Sequence, residues 1–365
     1  MKLFYIANIR FPTERAHGIQ VAHMCSAFAR NGAEVTLVVS DRQTIPDDPY
    51  EYYGVEKNFR VEKIPVPDTV GHGTLGFLVE SLIFAYRAAK RVRAEKEVVI
   101  YTREELPLLF LKKRIAFYEA HQLRRSFFFR WLIRRAEGIV AITQGLKEAL
   151  VQVGFSERNI LVAHDGYDEK QFSISVTKEE ARRHLALPTD TKIALYLGGL
   201  EEWKGARTLC EAAEYLESSN ILVVIIGGTE KEKKSLEERN YRNVRFLGSR
   251  PYRELALNQQ AADVLVIPNS HFSPLGSAYA SPLKLFAHMA SGVPLVVAQV
   301  PALTEVVSSA EAHLFTPDEP RSLAETITKA LKPEAARVAH AAMEKVKSFT
   351  WDKRATLVLN FIADV

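Results

Sequence analysis

Lys204 in GGLEEWKG (198 to 205) and Lys284 in SPLKLFAHMASG (281 to 292) are cations placed where an apolar run gives way to a helical one. The free N–H groups and the macrodipole of a helix start already favour an anion there, and the glycines Gly198 and Gly199 allow the backbone to approach it closely. Gly228 in GGT (227 to 229) is a weaker signal of the same type. Ser281 is a good helix cap, Pro282 suits a first helical turn, and Gly292 with Pro294 closes the helix. Leu283, Phe286 and Ala290 then form one face, leaving Lys284, Ala287, His288 and Ser291 toward the other. A solvated lysine on an ordinary turn explains either motif alone, and a plain polar face explains Lys284 with His288. Two such lysines in one domain make a diphosphate site more credible than either motif alone, and the plain polar face stays open beside it.

A second set of polar residues sits earlier. YEAHQL (118 to 123) places Glu119 and His121 at the end of an apolar strand, and YTREEL (101 to 106) does the same for Arg103 and Glu104. Strand ends of this kind are where parallel sheets bind ligands. These residues read a substrate or simply bond one another. No Walker loop, GxGxxG after the first strand, nucleophile elbow or paired Asp-x-Asp for a divalent metal is present. The expectation is a site without a metal, its phosphates neutralised by lysines and helix starts.

The elements that position these residues alternate. KLFYIAN, a Pro/Gly loop, a helix with Val21, Met24, Cys25, Phe28 and Ala29 on one face, and EVTLVVS form a βαβ unit ended at Asn31-Gly32. Strands follow at VVIYT, IAFYEA and GIVAIT. After a change of pattern near 165 to 192, with a charged helix TKEEARRHLAL closed by Pro188, a second series begins. It runs through KIALYLGGL, a helix from Ala206 to Leu216, ILVVIIGG, a charged helix through Glu238, VRFLGS, a helix through Gln260, VLVIPNS and PLVVA. The expected fold class is α/β with two doubly wound, Rossmann-like domains facing each other across a cleft. The last segment, TWDKRATLVLNFIADV, has a helical period and suits either domain.

With 365 residues, 47% hydrophobic and 25% charged, the chain is long enough for two domains and is neither disordered nor fibrous. No apolar run reaches the roughly 18 residues that span a bilayer, and MKLFYIANIRFPTER reads as a strand rather than a signal peptide, so a cytoplasmic location is expected. Cys25 and Cys210 read as buried thiols without metal-ligand spacing. Residues 1 to 175 hold 25 Lys plus Arg against 21 Asp plus Glu and carry the entire net charge of +4. Lys112, Lys113, Arg114, Arg124, Arg125, Arg130, Arg134 and Arg135 face only Glu119 as an acid between them. LRRSFFFRWLIRR (123 to 135) suits peripheral contact with anionic lipid at the inner face of the cell membrane, or a helix whose aromatics enter the core. Nucleic acid is not an expected partner, because the basic residues cluster on one domain without a recognition motif.

Taken in order, AHGIQVAHMCSAFARNGAEVTLV, IYTREEL, YEAHQL, IVAITQGLKEAL, VAHDGYD, LYLGGLEEWKG, VVIIGG, VRFLGSRPYREL, ADVLVIPN and SPLKLFAHMASGVPLVVA resemble the family 4 retaining glycosyltransferases of the GT-B fold along essentially the whole chain. The resemblance implies an N-terminal acceptor domain over 1–168, a nucleotide-sugar domain over 169–349, and a final helix, 350–365, crossing back onto the first. It implies transfer from a nucleotide-diphosphate sugar, of UDP or GDP type and a substrate rather than a cofactor, to a glycan or lipid-linked acceptor hydroxyl. Gly18 matches the glycine loop near phosphates and sugar, His121 the histidine near the reacting sugar, and Lys204 the lysine that neutralises the diphosphate. Ser281, Pro282 and Leu283 place backbone against the phosphates, Gly248 to Arg250 lie by the base, and Arg103, Glu104 and Glu119 fall on the acceptor side.

The chain departs from the family at three places. Gly199 stands where an arginine is frequent, Tyr279 where the first glutamate of the Glu-x7-Glu motif contacts the sugar, and Ala287 where its second holds the ribose. Losing that charged hydrogen bond costs about 1.5 to 3 kcal/mol. Three readings stay open: a transferase with an impaired or altered donor site, a non-catalytic nucleotide- or glycan-binding protein, and a GT-B sugar-nucleotide epimerase.

Overall fold

The structure is a computed structural model that describes residues 1–365 except Gln43, Thr44, Lys113 and Arg125, so two members of the basic run, Lys113 and Arg125, lie outside the described residues. The chain divides into two compact units, Met1–Asp165 with Trp351–Val365, and Gly166–Thr350.

In the first unit a seven-stranded parallel sheet runs in the order β3-β2-β1-β4-β5-β6-β7, comprising β1 Lys2–Ala7, β2 Glu34–Asp41, β3 Arg60–Pro65, β4 Val98–Thr102, β5 Ala116–Ala120, β6 Gly138–Ala141 and β7 Ile160–Val162. Strand order reverses between β1 and β4, the switch point at which doubly wound sheets present a ligand crevice. Their continuous apolar runs, buried on both faces, are what all-parallel strands require. Two strands escape sequence pattern. β3 is an edge strand with one buried residue, and β7 has only three residues, so neither produces an apolar run.

Helix Ala16–Arg30 packs beside the C-terminal helix Trp351–Asp364, and both belong to this unit. Stacking of His23 on Trp351 (5.7 Å) and edge contact of Phe117 with Phe361 (5.8 Å) seal that helix onto the sheet. Gly18, expected in a loop, lies inside the first turn of Ala16–Arg30. A Cβ at that position would collide with the Tyr53 hydroxyl and the Thr13 methyl, so close packing rather than loop freedom explains the glycine.

The second unit holds a six-stranded parallel sheet, β10-β9-β8-β11-β12-β13, comprising β8 Lys192–Leu197, β9 Ile221–Ile226, β10 Val244–Gly248, β11 Val264–Ile267, β12 Leu295–Ala298 and β13 His313–Phe315. Its core interleaves Leu195, Val224, Leu265, Val296 and Phe286. The charged helix Lys178–His184 is held by a Thr177–Glu180 capping box, and its buried Arg182 meets Asp263 at 2.5 Å. The helix expected from Ala206 to Leu216 is α-helical only over Ala206–Ala212 and continues as two 3₁₀ turns that stop at Asn220 with φ 53°. Cys25 and Cys210 are buried free thiols. Among the described residues, no helix is long and apolar enough to cross a membrane.

Gly205 opens Ala206–Ala212 in the left-handed region, φ 70°, with its α-carbon against the Pro268 carbonyl where a Cβ would clash. Alanine there adds about 1 to 2 kcal/mol of left-handed strain and displaces the loop that carries Lys204. Gly205→Ala is expected to lower the melting temperature, read by calorimetry.

Candidate functional site

Period-two alternation turns Phe117 and Glu119 of β5 to one face, and β1 pairs Tyr5 with Tyr101 of β4 beside them. Glu119 has no solvent exposure and sits among donors. Its Oε1 accepts from Gln20 Nε2 at 2.6 Å, meets His121 Nε2 at 2.6 Å and accepts more distantly from the Tyr5 hydroxyl at 3.4 Å. The Tyr101 hydroxyl at 2.5 Å and Arg354 Nη2 at 3.1 Å approach Oε2. Burial alone would raise this carboxyl, but Arg354 and the His121 hydrogen bond outweigh it and hold the group well below the usual range. Burial, with Arg103 nearby, lowers His121 to about 4, so its ring is neutral at pH 7.

Arg103 and Glu104 do not pair with each other. Arg103 Nη1 donates to Gln20 Oε1 at 2.9 Å, while Glu104 accepts the Asn8 backbone N–H at 3.3 Å and is pushed up to about 7 by burial. Arg354 also donates to the Ala163 carbonyl and lies 3.9 Å from Asp165, whose carboxyl burial raises to about 7.

In the second unit the turn after β8 gathers both lysines. Lys204 Nζ pairs with Glu201 at 2.7 Å, and Lys284 Nζ lies 4.4 Å from the centre of the Tyr196 ring and 3.3 Å from its hydroxyl. The Tyr196 hydroxyl donates in turn to the Gly199 carbonyl at 2.5 Å. A Cβ at Gly198 would stand 3.6 Å from Lys284 Nζ, and one at Gly199 would crowd Lys204 Nζ at 2.6 Å, so both ammonium groups reach this glycine pair. Burial first, then Lys204, drives the Lys284 pKa well below its ordinary value. The result is a cation pair short of counter-charge, with Glu201 as its internal anion.

Other expectations for this unit need correction. The helix over the opening motif is Leu283–Ala290, with Pro282 rather than Ser281 as its N-cap and no side-chain cap bond, because Pro282 is extended (ψ 117°) and its carbonyl takes the Leu285 N–H. Ala287 is 3% exposed and His288 is fully buried, so the polar face extends no further than Lys284 in this direction. His288 is a core histidine that accepts Gln259 Nε2 at 2.8 Å and is kept neutral by burial, at about 3. Tyr279 ends a π-helical turn, Leu275–Tyr279, that leads into the motif. Gly248 accepts the Gly227 N–H at 2.8 Å, beside Gly228, and Arg250 is exposed. Among the described residues no three His, Cys, Asp or Glu side chains form a metal-ligand group.

Sequence reasoning missed Gln20, Tyr5, Tyr101, Arg354, Asp165, Tyr196 and Glu201. The tyrosines, one near the end of each adjacent strand, were a usable signal; Arg354, 235 residues from Glu119, offered none.

The segment read as a basic aromatic helix is α-helical over Phe127–Ile133 and is split between core and surface. Phe129, Leu132 and Ile133 are buried, while Phe127, Phe128 and Trp131 are exposed, Phe127 to 71%. Helix Gly73–Arg93, which the sequence did not single out, exposes Leu75, Phe77, Leu78, Val79, Leu82 and Tyr86. The short helix Pro107–Phe110 packs against both.

Residues 18–171 match the family model Glycosyltransferase Family 4, and residues 177–346 match Glycosyl transferases group 1. The D-inositol 3-phosphate glycosyltransferase of Corynebacterium aurimucosum is 29% identical over 62% of this chain and 56% of its own length. Its counterpart in Corynebacterium efficiens is 31% identical over 49% and 44%. These alignments span about half the length of the relatives. An Anabaena protein, HepE, crystallised with UDP and glucose, superposes over the whole of both chains with a TM-score of 0.78 at 18% identity, a likeness of fold. The two parallel α/β sheets have the GT-B architecture of such neighbours.

Removing one partner of a buried ion pair costs about 3 to 5 kcal/mol, because the other is left uncompensated. Arg354→Met is expected to destabilise the chain by that order in urea denaturation. The Glu119 pKa is depressed by folding, so its stabilisation is complete above the unfolded carboxyl pKa and is lost as pH falls toward the folded one. Without Arg354 that folded pKa rises, and the acid-unfolding midpoint moves to higher pH.

Proposed function

Because the chain belongs to the family 4 and group 1 glycosyltransferases, we propose that it transfers a sugar from a nucleotide-diphosphate donor to a glycan or lipid-linked acceptor hydroxyl, retaining anomeric configuration and using no metal. The observation that carries the reading is the convergence of Lys204 and Lys284 on Gly198 and Gly199. A diphosphate leaving group gains negative charge as the glycosidic bond breaks, and preorganised cations stabilise that charge without reorganising. The start of helix Leu283–Ala290 adds its dipole. Glu201 is the counterion a phosphate displaces. In the first unit, His121 and Arg103 supply hydrogen bonds to sugar or acceptor. UDP, the nucleotide held by the Anabaena protein, is the first candidate.

Tyr279 and Ala287, in place of two acids, favour a weakened donor site, and at the extreme a protein that binds without transfer. Assaying UDP- and GDP-sugars for transfer and hydrolysis separates the two, and activity unchanged by EDTA supports the metal-free reading.

Calorimetry with UDP and GDP tests the lysines directly. Lys204→Ala or Lys284→Ala is expected to weaken binding roughly ten- to a hundredfold. An anion beside Lys284 favours the charged form that burial disfavours, so binding raises its pKa and affinity falls as pH rises past the lowered pKa of the ligand-free lysine. Unchanged affinity in both variants rejects the diphosphate site. Ala287→Glu, its folding checked by melting temperature, should tighten the nucleotide; no change removes position 287 from the ribose contact.

The exposed apolar faces of Gly73–Arg93 and Phe127–Ile133, bordered by Arg124, Arg134 and Arg135, support peripheral contact with anionic membrane. The chain should co-sediment with phosphatidylglycerol vesicles at low salt, less at high salt and less after F127S/F128S. Equal sedimentation with neutral vesicles rejects the electrostatic part.

A further inference from the structure

The geometry points to Glu119 as a positioning residue: held ionised by Arg354 from the C-terminal helix, it locks His121 as the tautomer protonated at Nε2, so that Nδ1 is the atom His121 presents to a ligand. Among the described residues the donors around the carboxylate leave no alternative. Arg354 Nη2 can only donate, and it lies 3.1 Å from Oε2. The Gln20 amide is oriented by its other end, since Oε1 accepts from Arg103 Nη1 at 2.9 Å, which turns Nε2 toward Glu119. Both Tyr hydroxyls point at the same carboxylate. A fully buried carboxyl surrounded this way is an anion that only accepts, so the 2.6 Å contact to His121 is donated by Nε2–H.

A neutral imidazole has one N–H. Nδ1 is therefore a bare acceptor, and no protein group among the described residues bonds to it. The ring is neutral because it is largely withdrawn from water and flanked by Arg103 and Arg354, with His17 close by and itself neutral. The charged and titratable groups around the pair are thus Arg103, Arg354, His17, Tyr5, Tyr101, Cys25 and Asp165.

The functional consequence rests on the transferase reading above. An acceptor-only Nδ1 takes a hydrogen bond from a substrate O–H and cannot donate to a carbonyl or phosphate oxygen. His121 then selects and orients a hydroxyl of the sugar or of the acceptor, while Glu119 and Arg354 fix the direction from which that hydroxyl is read.

Long-range ¹H–¹⁵N spectra of the ¹⁵N-labelled full chain, with His121 assigned through His121→Gln, test the tautomer without any substrate. The expected spectrum shows a neutral ring protonated at Nε2, unchanged from pH 6 to 8. Glu119→Gln, whose amide offers both a donor and an acceptor, should shift His121 to the other tautomer or to an averaged pair. A native ring protonated at Nδ1, a ring that titrates in that range, or a Glu119→Gln spectrum identical to the native one overturns the inference. The native spectrum decides even if the variant fails to fold. Where transfer is detected, Glu119→Gln should lower kcat by roughly a hundredfold with the donor KM little changed, an effect on the reaction rather than on folding. A chain that transfers nothing but shows the Nε2–H ring rejects the transferase reading and leaves the positioning intact.

Discussion

A carboxylate taken fully out of water costs several kcal/mol unless charge and hydrogen bonds replace its hydration, and Glu119 in the first unit is such a group. The replacement comes from five separate parts of the chain: Tyr5 and Tyr101 from two strands, Gln20 from the first helix, His121 from the residue after its own strand, and Arg354 from near the C-terminus. Much of the local architecture follows. The C-terminal helix must lie against the first sheet for Arg354 to reach Glu119, and the aromatic contacts of Trp351 and Phe361 supply apolar burial that holds it there. In the same low-dielectric setting His121 remains neutral, which gives its two ring nitrogens different jobs.

The second unit solves the opposite problem. Its polar group is the part-buried amine of Lys284, and the counter-charge beside it is short. Lys284 rests on the face of the Tyr196 ring, where the quadrupole gives partial compensation. Glu201 is half exposed and engaged with Lys204, so it screens Lys284 only from a distance. Under-compensation of this kind costs stability and favours an anion beside the lysines. The Glu119 carboxylate, by contrast, has donors at both oxygens. One arrangement favours orienting a group, and the other favours receiving one.

Much of this was legible in the sequence because parallel strands buried on both faces leave continuous apolar runs, as in VVIYT and ILVVII, and because turn glycines punctuate them. What failed to register had a common cause. β3 lies at a sheet edge, β7 and β13 have three residues each, and helix Gly73–Arg93 combines an outward apolar face with a buried Glu80 that blurs its pattern. Within the candidate site, the residues adjacent to a strand end, Glu119, His121, Arg103 and Lys204, were visible by position. Arg354 and Gln20 were not, because their importance comes from packing between elements far apart in sequence.

Ala287 shows where motif reading and physical reading diverge. As a motif position it marks a missing acid; as a site in the fold it is 3% exposed in a helix whose neighbour His288 is fully enclosed. A glutamate at that depth would pay a desolvation cost that only a nearby cation or a bound ligand can offset. Lys284, three residues earlier on the same helix, is one such cation, and burial first, then Lys204, lowers its pKa. With alanine at 287, the neighbours that compensate Lys284 are Tyr196 and Glu201. If the chain takes the proposed nucleotide-diphosphate donor, the alanine removes one anchor at the ribose and places more of the recognition on the lysines and the diphosphate.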